Sequence, residues 1–143
     1  GRKGILNMYD KLLDIASEAR KNSYCVYSKF MVGAALLCEN GEIFTGCNIE
    51  NVSYSMTNCA ERTALFKAVS EGNKNFKAIA VVGALVNSDC MTEPCFPCGA
   101  CLQVMSEFCS SDFEIVLSEN HKAQIFSLSE LMPINFKADL KKQ

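Results

Sequence analysis

The order of helical and extended patterns along the 143 residues, α-β-β-α-β-α-β-β-α, predicts an α/β fold in which helices cover a mixed sheet. Two observations lead there. Phe30–Cys38 and residues 78–83 are nearly continuous apolar runs, the pattern of strands buried on both faces. Two runs of helix formers, one after Cys59 and one after Pro97, each lie between extended segments. The length suits one domain over residues 1–143 with a proper core.

Residues 7–22 read as an amphipathic helix with Met8, Leu12, Ile15, Ala16 and Ala19 on one face. The apolar run from Phe30 ends at Glu39-Asn40-Gly41-Glu42, a hairpin turn signal, and a second strand follows over residues 43–47. A polar stretch, residues 48–54, precedes the Cys59 helix, in which Ala64, Leu65, Ala68 and Val69 recur at helical spacing up to Gly72. After the strand at 78–83, residues 87–97 form a loop. The next helix puts Leu102, Met105 and Phe108 on one stripe. Residues 113–117 and 123–126 read as a hairpin around His121. Ser127 and Glu130 then form a capping box for a short helix, and a Lys-rich tail ends the chain.

Composition removes several classes of function. Net charge is −2 with scattered lysines, a poor footprint for nucleic acid, so a small-molecule partner is expected. No apolar run approaches the ~20 residues of a membrane helix, and the first residues lack the apolar core of an export signal. Nine cysteines, an odd number in a chain this long, point to reduced thiols and a metal site in the cytoplasm. The single histidine, His121, excludes zinc sites built on two or three histidines and reads as an exposed turn residue.

The chemistry concentrates in Cys59-Ala60-Glu61 and Pro97-Cys98-Gly99-Ala100-Cys101, both at the start of a helix. Helix N-termini carry partial positive charge and free N–H groups, which favour thiolate over thiol. Two such ends brought together can hold Cys59, Cys98 and Cys101 around one Zn2+ with a fourth position open, the catalytic arrangement. Glu61, two residues after a ligand, is placed to handle protons. Arg62 beside it offsets part of the negative charge of three thiolates. The ends of strands leading into such helices are where an α/β sheet opens its ligand crevice. Cys95-x-x-Cys98-x-x-Cys101 also permits a closed four-cysteine site or a redox pair.

These two stretches match the (His or Cys)-x-Glu … Pro-Cys-x-x-Cys pattern of zinc deaminases. Together with residues 30–35, 46–51 and 58–64, the chain resembles the small, homotetrameric cytidine deaminases from about Tyr24 to Phe136. The resemblance implies a three-layer α/β/α fold with a five-stranded mixed sheet. It implies one zinc per subunit and hydrolytic deamination of cytidine and 2′-deoxycytidine to uridine and 2′-deoxyuridine, a step of pyrimidine salvage. By the same resemblance Cys59, Cys98 and Cys101 are the zinc ligands and Glu61 shuttles protons. The N–H of Ala60 takes the base carbonyl, and the carbonyl of Phe96 takes the amino group. Phe30 flanks the base, while Asn48 and Glu50 hold the ribose 3′-hydroxyl. Tyr54 and Phe136 are expected to work across subunit interfaces of a homotetramer. Phe96, Leu102 and Ser55 depart from the family, which commonly has serine or threonine, arginine and proline there. A catalytically silent zinc-binding protein and a deaminase of another aminopyrimidine are the competing readings.

Overall fold

The computed structural model describes residues 2–136, with side chains from residue 8 onward. Helix α1 (Arg2–Ala19) leads through a single 3-10 turn to strands β1 (Phe30–Cys38) and β2 (Ile43–Cys47). Helix α2 (Ala60–Ser70), β3 (Phe76–Leu85), α3 (Gly99–Phe108), β4 (Glu114–Glu119), β5 (Lys122–Ser127) and α4 (Leu128–Leu131) complete the order. The Lys-rich tail lies outside the described residues.

The five strands form one mixed sheet in the order β2-β1-β3-β4-β5. β1 is antiparallel to both β2 and β3, β3 is parallel to β4, and β5 returns antiparallel. With β1 antiparallel to both neighbours, β2 and β3 run in the same direction. The helices that follow them, α2 and α3, therefore begin at the same end of the sheet.

Helices cover both faces. Tyr9, Leu12, Leu13 and Ala16 of α1 pack on Ala35, Leu37, Ala78, Ala80, Val82 and Val116 on one side. On the other, α2, α3 and α4 share a core with Ala34, Leu36, Ile79, Val81, Ile115 and Leu117. Alternate residues of β1 and β3 thus enter two different cores, which is why these strands read as continuous apolar runs. Each fully buried leucine or isoleucine here contributes about 1.5–3 kcal/mol.

The predicted strands β1 and β2 agree with the structure in their bounds, and β3 is longer by two residues at each end. The capping box at Ser127 and Glu130 is present. Helix α1 buries Leu12 and Ala16 as its periodicity suggested, but its buried face is rotated toward Tyr9 and Leu13. Met8 is 42% exposed and Ile15 and Ala19 are only partly buried, whereas Tyr9 and Leu13 enter the core. The rotation lets the Tyr9 hydroxyl donate to Glu114 Oε2 on β4, 105 residues away. It also seats the helix on Gly33, where a Cβ would lie 1.9 Å from the Ala16 carbonyl oxygen. Among the described residues no helix is long and apolar enough to cross a membrane.

Candidate active site

The first residues of α2 and α3 meet because their parent strands end at the same side of the sheet. Cys59 is the N-cap of α2 and Cys98 the N-cap of α3, both with extended backbone and neither with its side chain capping the helix. Their carbonyls accept the first helical bonds, from Thr63 N and Leu102 N at 3.0 Å each. The cap position, usually a hydroxyl or carboxylate that satisfies the helix end, is here held by a sulfur left over for another partner.

The Cys59 and Cys98 sulfurs are 3.9 Å apart and those of Cys98 and Cys101 3.6 Å apart. All three lie within 4.8 Å of one another, and among the described residues this is the group able to hold a metal ion. Zinc–sulfur bonds of about 2.3 Å at tetrahedral angles give an S···S edge of about 3.8 Å, so the observed separations fit zinc held by three thiolates. Cys101 is fully buried, Cys59 half-buried and Cys98 exposed, so the group opens to solvent on one side. Cys95 stays out of it. Its sulfur sits over Gly83, 2.8 Å from where a Cβ would be. Burial, then the Glu61 charge, pushes its thiol up to about 12. The closed four-cysteine arrangement is therefore not formed.

Charge at the thiols is shared unevenly. A hydrogen bond from Cys101 and then the Arg62 guanidinium pull Cys59 down to about 5, while Cys101, donating to Cys59 and buried, is raised. Arg62 Nη2 donates to Cys59 Sγ at 3.3 Å, and its Nε is buried with no hydrogen-bond partner. Arg62 thus places a cation against one sulfur of the cluster. Glu61 is 4% exposed, in the first turn of α2. Burial, reinforced by the negative charge of Cys59, raises its carboxyl to about 7. A carboxyl balanced near neutral pH can both accept and return a proton.

The remaining site candidates lie at the start of α2, at the start of β1, in the segments flanking α2 and α3, and after α4. Ala60 is fully buried at the first helical position of α2. Phe30, at the start of β1, lines a cleft of about 380 Å³ with Gly83, Asp89, Glu93 and Cys95. Asn48 is buried, and its side chain bridges the β1 backbone. Its Nδ2 donates to the Phe30 carbonyl at 2.8 Å and its Oδ1 accepts from Val32 N at 2.9 Å. Glu50 accepts from Tyr27 N and Ser28 N at 3.0 Å each and from the Ser28 hydroxyl. The Ser28 hydroxyl, then the two backbone donors, holds its carboxyl below the usual range. Glu50 lines a second cleft of about 380 Å³ with Tyr27, Tyr54 and Thr57. Ser28 links the two clefts, since its Oγ also accepts from Phe30 N at 3.0 Å.

Three aromatic candidates are exposed. Phe96 is half exposed and meets Phe126 edge-on at 5.4 Å. Tyr54 is exposed, edge-on to Tyr27 at 5.9 Å. Phe136 is exposed, its carbonyl accepting from Gln103 Nε2 at 3.0 Å. His121 is an exposed turn residue as expected. It lies 2.6 Å from Asp89 and shares the turn with Asn120, both at positive φ. Sequence reasoning missed Thr63, whose hydroxyl joins the Cys59 and Cys47 carbonyls at 3.1 Å each. Its one signal was its place one helical turn after Cys59.

Residues 6–117 match the family model described as the cytidine and deoxycytidylate deaminase zinc-binding region. The chain is 51% identical over 134 residues to a cytidine deaminase of Sporosarcina psychrophila, covering 92% of this chain and 93% of that one. It is 48% identical over 129 residues to a cytidine deaminase of Halalkalibacterium halodurans, covering 90% and 93%. The crystal structure of cytidine deaminase from Burkholderia pseudomallei superposes with a TM-score of 0.79 at 44% identity, covering 88% of this chain and 97% of that one.

Proposed function

The chain belongs to the cytidine deaminase family of zinc-binding enzymes, and we propose that it hydrolyses the 4-amino group of cytidine and of 2′-deoxycytidine, giving uridine and 2′-deoxyuridine with release of ammonia. The observation that supports this most is the pairing of three thiols at zinc-binding separations with a buried carboxyl two residues from one of them.

Cys59, Cys98 and Cys101 would hold zinc, which supplies Lewis acidity that makes water nucleophilic near neutral pH. Glu61 takes the water proton as attack begins at C4 and delivers it to N3; it then takes the proton of the new C4 hydroxyl and passes it to the amino group, which leaves as ammonia as the C4 carbonyl forms. The Ala60 N–H, in the first turn of α2 where backbone donors lack helical partners, binds the base carbonyl. The Phe96 carbonyl accepts from the amino group. Phe30 flanks the ring. Arg62 holds part of the negative charge of three thiolates in check from 3.3 Å.

Sugar selection falls to Asn48 and Glu50. One amide proton of Asn48 is used on Phe30, and the second remains for a hydroxyl. Glu50 is held by three donors and keeps lone pairs for the 3′-hydroxyl. Exposed Val52, Tyr54 and Met56 beside Glu50, with exposed Phe136, make an apolar surface suited to neighbouring subunits, and we read the enzyme as a homotetramer. Sedimentation showing a fully active monomer overturns that assignment. One domain over residues 1–143, and a place in pyrimidine salvage in the cytoplasm, complete the reading. The compartment is supported by nine free cysteines.

Comparing kcat/KM for cytidine, 2′-deoxycytidine, free cytosine and cytidine 5′-monophosphate tests the proposal. Both nucleosides should react. Cytosine should fall by about 10- to 150-fold, the worth of a hydrogen bond to a charged partner. The monophosphate should be poor because Glu50 and the thiolate centre repel it. Turnover of the monophosphate at or above that of cytidine would make the enzyme a nucleotide deaminase.

A further inference from the structure

The first turn of α2 carries Cys59, Ala60 and Glu61, and two features of β2 fix where it lies. At Gly46 the helix backbone comes down onto the strand. A Cβ there would lie 2.3 Å from the Ala60 carbonyl oxygen and 2.6 Å from Ala64 N. One residue on, the Cys47 carbonyl accepts from Thr63 Oγ1 at 3.1 Å. The same hydroxyl is 3.1 Å from the Cys59 carbonyl and receives Asn58 Nδ2 at 3.2 Å. Thr63 therefore stands between the strand and the two residues that enter the helix.

We infer that Thr63, acting through the close approach of α2 to β2 at Gly46, is a positioning residue for the Cys59 sulfur and the Glu61 carboxyl. This inference rests on the proposed roles of Cys59 and Glu61. The hydrogen bonds of the Thr63 hydroxyl run to two backbone carbonyls and to the Asn58 amide, so it acts through the backbone. Without its hydroxyl the Cys59 carbonyl keeps its bond from Thr63 N, so the helix persists. What is lost is the tie from its first turn to β2. Glu61 lies in that turn and Cys59 at its cap, so both shift together relative to Cys98 and Cys101, which belong to α3. Gly46 is the steric half of the same seat. Gly33 performs the equivalent service for α1 on the opposite face.

The test compares Thr63→Val, Thr63→Ala and Thr63→Ser with wild type, each loaded with zinc for kinetics and with Co2+ for absorption of the thiolate-to-cobalt bands. Valine keeps the shape, alanine drops the hydroxyl without adding bulk, and serine keeps the hydroxyl. The two hydroxyl-free variants should lose about 10-fold in kcat or in zinc affinity, the lower end for supporting residues around a metal, with KM for cytidine nearly unchanged. Their cobalt bands should shift, and Thr63→Ser should restore both. Tyr9→Phe, which removes the contact of α1 with Glu114 on β4, serves as the control for general destabilisation and should lower the melting temperature without moving the cobalt bands.

Wild-type kcat and bands in Thr63→Val and Thr63→Ala would overturn the inference and leave the proposed function standing. So would equal losses in Thr63→Ser, since the hydroxyl would then not be the cause. Absence of thiolate-to-cobalt bands in the wild type would instead overturn the three-cysteine site and this inference with it.

Discussion

The sulfurs of Cys59 and Cys98 lie 3.9 Å apart although 39 residues separate them in the chain. β1 is antiparallel to both β2 and β3, so the helices that follow those two strands start at the same end of the sheet. Each helix has its cysteine at the cap, and Cys101, one turn into α3, completes the trio.

Replacing one thiol should therefore remove the metal site. Cys98→Ala should lose zinc, because two thiolates fall below the three protein ligands of a catalytic site. Cys95→Ala should retain it, since the Cys95 sulfur packs on Gly83 outside the cluster. Zinc content per chain after dialysis checks both. Retention in Cys98→Ala with loss in Cys95→Ala would put Cys95 in the site in place of Cys98.

Glu61→Gln keeps the shape of the buried side chain and removes its proton chemistry. Turnover of cytidine should fall by about 10²–10⁴, the range for general acid–base groups, at unchanged zinc content. Single-turnover kinetics alongside metal analysis separates the two effects. Comparable rates in variant and wild type would exclude the assigned role.

How much of this was legible in the sequence depends on how far apart the determining residues lie. The bounds of β1 and β2 were readable because the apolar run of β1 stops at the Asn40-Gly41 turn signal and β2 starts just after it. The thiol trio was readable because cysteines at two helix starts, with a glutamate nearby, is a local pattern. The rotation of α1 that buries Tyr9 in place of Met8 was not, since Tyr9 meets Glu114 105 residues away. The dual work of Asn48 was equally hidden, because it arises from the β1–β2 register that brings it to Phe30 and Val32. Glu50 read as a sugar ligand, but not as a group pre-held by the turn at Ser28.

The Tyr9–Glu114 contact gives an alkaline signature. Burial, then the hydrogen bond to Glu114, raises the Tyr9 hydroxyl from 10.0 to about 12. The folded state then holds this proton at pH values where the unfolded chain releases it. The stabilisation is present below pH 10 and is lost as pH rises toward 12. Tyr9→Phe should cost about 1.5 kcal/mol at pH 8, the low end for a bond to a charged partner. The difference between wild type and variant should shrink across pH 10–12 in urea titrations. A difference constant over that window would show that the hydroxyl is not held in this way.

Cytidine deamination is expected to depend on zinc at Cys59, Cys98 and Cys101 with Glu61 beside it. The most direct measurement adds zinc stepwise to metal-free protein while following ammonia release from cytidine and bound zinc per chain. Activity should rise in proportion to bound zinc and reach its plateau at about one ion per chain. Full turnover by metal-free protein, or none after one zinc per chain has bound, would contradict the account.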